Sequence, residues 1–354
     1  MKLLSLLVLL LLLSFHSQCQ NNNPDSLLFL KAKKAFQKFE LEHGGYIQTP
    51  NVKMHYLTWG NRNGMPLVWI HGTYSNAYEF YEYADSLILH AYYIIAIDYY
   101  GHGLTPIPEK DVSLYHVADD IKILLDYLKI DKTVIGGFSR GGSIATAFYD
   151  TYPEAVLGII LEDGGSVAWP TADHNESIDS LSASLISDFE EFSKTMNPEF
   201  NSEYEAVKEY SDLNFESSVF RALSSVKQNK SGKWQSDPGL SEFLGEQTAG
   251  DILNLMYRPF SSPHLFGAST ALIFPKIIYR NLHVPLLILD PVSERDRFPY
   301  EEENEELQKQ HPELIIHKIY NDSSHGLKFQ HPVKFLGDVL LFLNTVKDFH
   351  STRN

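Results

Sequence analysis

The chain has 354 residues, 44% of them hydrophobic, with 29 basic against 45 acidic side chains and a formal net charge of −16. That length and apolar content suit one large domain, or a core carrying an inserted subdomain. The negative excess repels phosphate backbones and acidic membrane surfaces, so nucleic acid is excluded as a partner, and the charge reads most simply as solubility. Cys19 is the one cysteine, which excludes an internal disulfide, a thiolate metal cluster and a cysteine nucleophile elsewhere in the chain.

Lys2 followed by the leucine-rich run Leu3–Phe15 has the form of an export signal. The run is shorter than the ~20 residues a membrane span needs, and no later apolar stretch approaches that length. Residues 1–19 are therefore expected to be a signal peptide, leaving a secreted or periplasmic chain without an integral membrane span. Lipid anchoring at Cys19 is the alternative, but His16 and Gln18 fit it poorly because small residues normally precede such a cysteine.

Residues 20–44 read as an N-terminal extension, polar at first and then an amphipathic helix over Ser26–Leu41. From residue 45 to 165 the pattern alternates between apolar strands and amphipathic helices. Strands are expected at Gly45–Thr49, Val52–Thr58, Pro66–Ile70, Ala91–Asp98, Thr133–Gly136 and Val156–Leu161. Helices are expected at Ala77–Leu89, Val112–Leu128 and from Ser143 to Tyr149. Near-continuous apolar strands between helices indicate an α/β fold, a doubly wound and mostly parallel sheet covered on both faces. The rhythm breaks over 166–280, where helical segments Ile178–Met196, Glu203–Lys227, Leu240–Tyr257 and Ser269–Tyr279 read as a helical cap insertion. Over 281–354 the core resumes with strands Val284–Leu289 and Glu313–Tyr320 and helices Glu301–Gln310 and Pro332–Asp348.

Gly137-Phe138-Ser139-Arg140-Gly141 sits between a strand-like and a helix-like segment. Strand, Gly-x-Ser-x-Gly, helix is the context of a nucleophile elbow, a sharp turn that exposes the serine hydroxyl beside a helix N-terminus. A serine hydroxyl needs a histidine to take its proton and a carboxylate to orient that histidine. Doubly wound sheets gather such groups at the carboxyl ends of their strands. His325, directly after the last strand, is the expected base; His311, His317 and His331 are less well placed, and His102 reads as a structural loop residue. For the acid, the loop Asp290–Pro299 offers Asp296, the preferred candidate, with Glu294 and Asp290 behind it and Asp163 at the end of an earlier strand as the remaining alternative. Two backbone N–H donors are needed for an oxyanion; Arg140 heads the helix, and Thr73 follows the strand that ends in His71-Gly72.

These segments together resemble the α/β-hydrolase superfamily, over Gly45–Gly165 and Val284–Asp348. The likeness rests on His71-Gly72, Asp98-Tyr99-Tyr100-Gly101-His102-Gly103, the Gly137–Gly142 turn and Ser324-His325-Gly326, in the family's order of serine, acid, histidine. It implies Ser139 as nucleophile, His325 as base and the Thr73 and Arg140 amides as oxyanion hole, with no cofactor and no metal. The departure is at Asp290-Pro291, where the family usually has a glycine after the strand and one obvious aspartate. Serine at the elbow sets the chain apart from haloalkane dehalogenases and epoxide hydrolases, which carry an aspartate there. An esterase-like action on a small-molecule acyl substrate is the leading expectation. A resemblance to proline-iminopeptidase-like enzymes, in which cap carboxylates hold a free amino group, makes Asp188, Glu190, Glu191, Glu203, Glu205 and Glu209 an alternative signal; solvated helix faces explain them more simply. Phe189, Phe192, Phe215, Phe220, Trp234 and Tyr257 could line an apolar pocket, although cap packing accounts for them as well. A ligand-binding protein without turnover is the alternative of another class.

Overall fold

The computed structural model describes residues 24–169, 198–294 and 299–352. Helix α1 (Pro24–His43) leads into β1 (Gly44–Gln48), β2 (Lys53–Trp59) and β3 (Met65–Ile70). A 3-10 turn (Ala77–Phe80) continues as α2 (Tyr81–Ile88), followed by β4 (Tyr92–Ile97), α3 (Leu114–Leu128), β5 (Thr133–Phe138), α4 (Arg140–Thr151) and β6 (Val156–Glu162). The intervening segment contributes α5 (Glu203–Tyr210), α6 (Glu216–Ser225), the hairpin β7 (Val226–Gln228) and β8 (Trp234–Ser236), α7 (Leu240–Leu244), α8 (Ala249–Tyr257), α9 (Leu265–Ala271) and α10 (Pro275–Ile278). The chain closes with β9 (Leu286–Val292), α11 (Glu301–Gln310), β10 (Ile315–Asn321), α12 (Leu327–Gln330) and α13 (Pro332–Ser351).

The sheet has eight strands in the order β1-β2-β4-β3-β5-β6-β9-β10. The β1–β2 and β2–β4 pairs are antiparallel, and every later neighbour is parallel. All six residues of β4 and all six of β5 are buried, as a sheet covered on both faces requires. On one side α3 presents Leu114, Val117, Ile121, Leu124, Leu125 and Leu128. On the other, α13 presents Phe335, Val339, Phe342, Leu343 and Val346, and both stripes follow the helical period.

Differences from the sequence expectation have local causes. The helix expected from Ala77 opens as a 3-10 turn because the Asn76 side chain accepts from the Tyr78 N–H. The helix expected over Glu203–Lys227 is interrupted: Asp212 Oδ1 accepts from the Asn214 N–H at 2.9 Å, an Asx turn that separates α5 from α6. Its last residues become β7. The helix expected over Leu240–Tyr257 breaks at Gly245, whose φ of 71° terminates α7. Residues 1–19 and the helix expected over Ile178–Met196 lie outside the described residues. Phe220 is core rather than pocket lining, packed with Phe36 and Phe39 of α1. Helix α1 is thus joined to both the core and the intervening segment, and Lys33 pairs with Glu203 at 2.6 Å. Among the described residues no helix is long and apolar enough to cross a membrane.

Beneath α1 lies a buried pair. His55 Nδ1 stands 2.7 Å from Asp98 Oδ2, and the Asp98 carboxylate also accepts from the Ala77 and Leu104 amides at 2.7 and 2.8 Å. It therefore fixes the loops after β3 and β4, both at the end of the sheet where the functional groups gather. Burial pushes the His55 imidazole down, but Asp98 and Glu40 outweigh it and raise the group to about 9. A histidine whose folded pKa is raised contributes stability that is complete below its ordinary 6.5 and is lost as pH rises through about 9. The melting temperature is accordingly expected to step down across that window, and His55→Asn to lack the step; thermal melts of both proteins from pH 6 to 10 measure it.

Candidate active site

Strand β5 ends in a residue that holds an unusual backbone. Ser139 has φ 54° and ψ −122°, a region that costs an L-residue about 1–3 kcal/mol. Its surroundings over-determine it. The Ser139 N–H donates to the Glu162 carbonyl of β6 at 2.9 Å, and its own carbonyl accepts from Gly142 and Ser143 at 2.9 and 3.3 Å. Glycines let the neighbouring backbones close in: a Cβ at Gly141 would stand 2.2 Å from the Ile70 carbonyl oxygen, and one at Gly164 would stand 2.3 Å from that of Ser139.

His325 reaches this turn from the loop after β10. Its Nε2 lies 2.9 Å from Ser139 Oγ, and its Nδ1 lies 2.5 Å from Asp163 Oδ2. Asp163 directly follows β6, with φ 43° and a buried carboxylate. Burial pushes that carboxyl up, and the hydrogen bond and charge of His325 oppose the rise. Serine, imidazole and carboxylate form one hydrogen-bonded line across half-exposed to buried surroundings. Such a line can carry a proton from the hydroxyl to Nε2 while the carboxylate holds the ring tautomer and balances the imidazolium.

The sequence preference for the acid was Asp296, and residues 295–298 lie outside the described residues. The structure brings Asp163 to the imidazole instead, the alternative ranked behind the loop. Of the other two, Glu294 is exposed. Asp290 is buried and already occupied, accepting from Asn304 at 3.0 Å and standing 2.8 Å from His317 Nε2. The missed signal is Asp163-Gly164-Gly165 at a strand tip, beside the strand that carries Ser139.

Thr73 and Arg140 both line the cavity at Ser139, about 180 Å³ and walled further by Asp163, Trp169, Thr270 and Tyr300. The Arg140 guanidinium joins the two expected oxyanion residues to each other. Its Nη1 donates to Thr73 Oγ1 at 2.9 Å, its Nε to Thr270 Oγ1 at 3.3 Å, and its Nη2 pairs with Glu246 at 2.6 Å. Tyr74 donates to the other Glu246 oxygen at 3.0 Å. Burial lowers the Arg140 pKa, but Glu246 more than offsets it and keeps the cation. The two remaining loop histidines are buried and pushed down by that burial; His71 Nδ1 meets the Gly72 carbonyl at 2.7 Å and His102 Nδ1 the Tyr100 carbonyl at 2.9 Å. Among the described residues no group of three or more His, Cys, Asp or Glu is arranged to hold a metal ion.

A family model described as alpha/beta hydrolase fold matches residues 65–293. Epoxide hydrolase 1 of Caenorhabditis elegans is 28% identical over 153 residues, 38% of this chain and 37% of that protein. A human serine hydrolase-like protein is 33% identical over 107 residues, 30% of this chain and 52% of that protein. The match thus spans about a third to a half of the length of these curated relatives. Among solved structures, a bacterial membrane phospholipase A aligns with a TM-score of 0.63 at 18% identity, covering 98% of this chain and 99% of that one. A carboxylesterase structure from Nitrososphaera gargenis aligns with a TM-score of 0.58 at 17% identity, covering 86% and 99%. At those identities the likeness is one of fold.

If Asp163 is the partner of His325, Asp163→Asn is expected to slow turnover by roughly 10⁴-fold through loss of the correct imidazole tautomer. Asp296→Asn should stay within a few-fold of wild type. Steady-state kinetics on the two variants decide between the carboxylates, and the reverse ranking would restore Asp296.

Proposed function

This chain belongs to the alpha/beta hydrolase fold family, and from that premise we propose a serine hydrolase that cleaves an ester or related acyl bond of a small, apolar substrate. The reading rests on one observation, the unbroken line from Ser139 Oγ through His325 to Asp163 at 2.9 and 2.5 Å. In this reading His325 Nε2 takes the hydroxyl proton as Ser139 Oγ attacks the acyl carbon. The oxyanion is met by the Thr73 amide, from the loop after β3, and by the Arg140 amide at the head of α4. The imidazolium then gives its proton to the leaving group, and an acyl-enzyme remains on Ser139. Water, deprotonated by the same nitrogen, releases the acid and restores the serine. Lys2 and the leucine-rich run Leu3–Phe15 support export of this enzyme.

Cavity size supports a short substrate. About 180 Å³ is below the ~300 Å³ at which drug-sized ligands begin to be enclosed, and Val167, Trp169 and Tyr300 give it an apolar side. The described cap carboxylates favour the esterase over the aminopeptidase reading. Glu203 is paired with Lys33, and Glu205 caps α5 by accepting from the Asn201 and Ser202 amides. Asp188, Glu190 and Glu191 lie outside the described residues.

A fluorophosphonate probe should label wild-type protein at Ser139 and leave Ser139→Ala unlabelled. Short 4-nitrophenyl esters, acetate to butyrate, should be turned over at least ten times faster than the palmitate ester, and proline 4-nitroanilide not at all. Hydrolysis of the anilide alone would establish the aminopeptidase; a wild-type protein that neither labels nor turns over would be a binding protein.

A further inference from the structure

Directly behind the elbow lies a group of charges that the reaction above does not use. Lys328 is fully buried in α12, three residues after His325. Its Nζ stands 3.2 Å from Glu162 Oε2 and 3.5 Å from Glu79 Oε1, and all three side chains are closed to solvent. The Lys328 N–H donates to Glu162 Oε1 at 2.9 Å. Its ammonium also lies 3.5 Å from the centroid of the Phe138 ring, and that ring packs 4.7 Å from His325. Glu79 is held on the other side by Trp69, whose Nε1–H donates to Oε1 at 2.9 Å.

The arrangement has a particular logic. Glu162 and Asp163 are consecutive at the tip of β6. One holds the His325 ring, and the other holds the backbone and the side chain three residues further on. The imidazole loop is thereby gripped twice by the same strand end, and one of the two grips is an ion pair in a low-dielectric interior. Charges buried there act over longer range than at the surface. A purely mechanical anchor would not need them, since hydrophobic packing of similar volume serves as well or better.

We propose that Lys328 and Glu162 are positioning residues for His325, and that their buried charges set the pH at which the imidazole loses its proton. The proposal rests on the serine-hydrolase reading for its kinetic consequence, but not for its effect on the imidazole itself. The titratable groups facing the ammonium, among the described residues, are Glu162 on β6, Glu79 on the 3-10 turn and Tyr83 on α2, whose hydroxyl donates to the Lys328 carbonyl at 2.8 Å. His71 after β3 feels the same cation, which helps to lower it. Facing the imidazole, among the described residues, are Asp163 and Ser139. The field of Lys328 reaches the first of these, opposing the rise that burial imposes on Asp163; Asp290 acts on Asp163 in the other direction. Burial pushes Glu162 up to about 7 against the pull of Lys328.

Turnover needs neutral His325. Removing the cation in Lys328→Met takes a positive charge from behind the imidazole, favours the imidazolium and moves the acid limb of kcat/KM to higher pH, by up to about one unit because the buried carboxylates left without a counter-ion take up protons. Glu162→Gln removes negative charge while keeping an acceptor for the Lys328 N–H. It should move the same limb to lower pH. The double variant should return the midpoint to within a few tenths of wild type. Lys328→Arg should retain the wild-type midpoint.

Two measurements separate this proposal from the reading it rests on. The first is the pH profile of kcat/KM with 4-nitrophenyl butyrate. The second is an NMR titration of the His325 ring in the inactive Ser139→Ala background, its resonance identified by loss in His325→Asn. Opposite displacements for the two single variants support the proposal. If the variants lose rate or melting temperature with no displaced midpoint in either measurement, the cluster is structural and the proposal falls. Should Lys328→Met fail to fold, Glu162→Gln carries the test alone: a midpoint displaced downward supports the proposal, and an unmoved one overturns it. If the ester is not hydrolysed but the ring titration shifts as stated, the enzymatic reading fails and the positioning role stands.

Discussion

Everything at the functional end of the molecule depends on how closely three backbone segments approach at Ser139. The strand-to-helix turn presses against the end of β3 at Gly141 and against the loop after β6 at Gly164, with no room for a Cβ at either contact. That closeness is what keeps a non-glycine residue at φ 54°. The N–H of Ser139 is taken by the Glu162 carbonyl, so the turn is hydrogen-bonded to the strand that supplies Asp163. Strain at Ser139 and delivery of the Asp163 carboxylate are therefore one structural event. The sheet order makes it possible, because β3, β5 and β6 are neighbours and end at the same edge. Thr73, Ser139 and Asp163 each follow one of them.

His325 is the exception to that economy. It comes from beyond β10, which is separated from β6 by β9. A ring carried on such a loop has many orientations open to it, and its two nitrogens must meet two partners at once. The described contacts supply three restraints: Asp163 on Nδ1, the Phe138 ring alongside, and the buried lysine that ties the following helix back to β6. Each is anchored on β5 or β6 rather than on the loop itself. The imidazole is thus positioned by the strands that hold its partners.

Much of this arrangement was legible in the chain. Continuous apolar strands such as Tyr92–Ile97 cannot be half-exposed, and their alternation with the periodic helices α3 and α13 fixes a parallel sheet covered on both faces. The Gly-x-Ser-x-Gly turn carries its own steric reason, which is why Ser139 was readable with no knowledge of its neighbours. What stayed hidden depends on lateral neighbours in the sheet rather than on sequence order. A loop that precedes the histidine in the chain drew attention to Asp296. Yet β6 lies between β5 and β9, so its tip is equally a neighbour of the imidazole, and Asp163 meets it there. Glu162, Glu79 and Lys328 escaped notice for a related reason. Each looks like an ordinary surface charge until three distant segments bring them together in the interior. The broken helices at Asp212 and Gly245 were misread because periodicity continues through a short turn without registering it.

The buried ions also tie the intervening segment to the turn at Ser139. Arg140 is the residue after Ser139, its amide heads α4, and its guanidinium grips Thr73 and Glu246 together. Breaking the contact with Glu246 would leave a buried cation with only hydroxyl partners, a state that costs far more than the intact pair gains. Opening the segment at that point is therefore resisted by a penalty felt at the backbone of Arg140 itself.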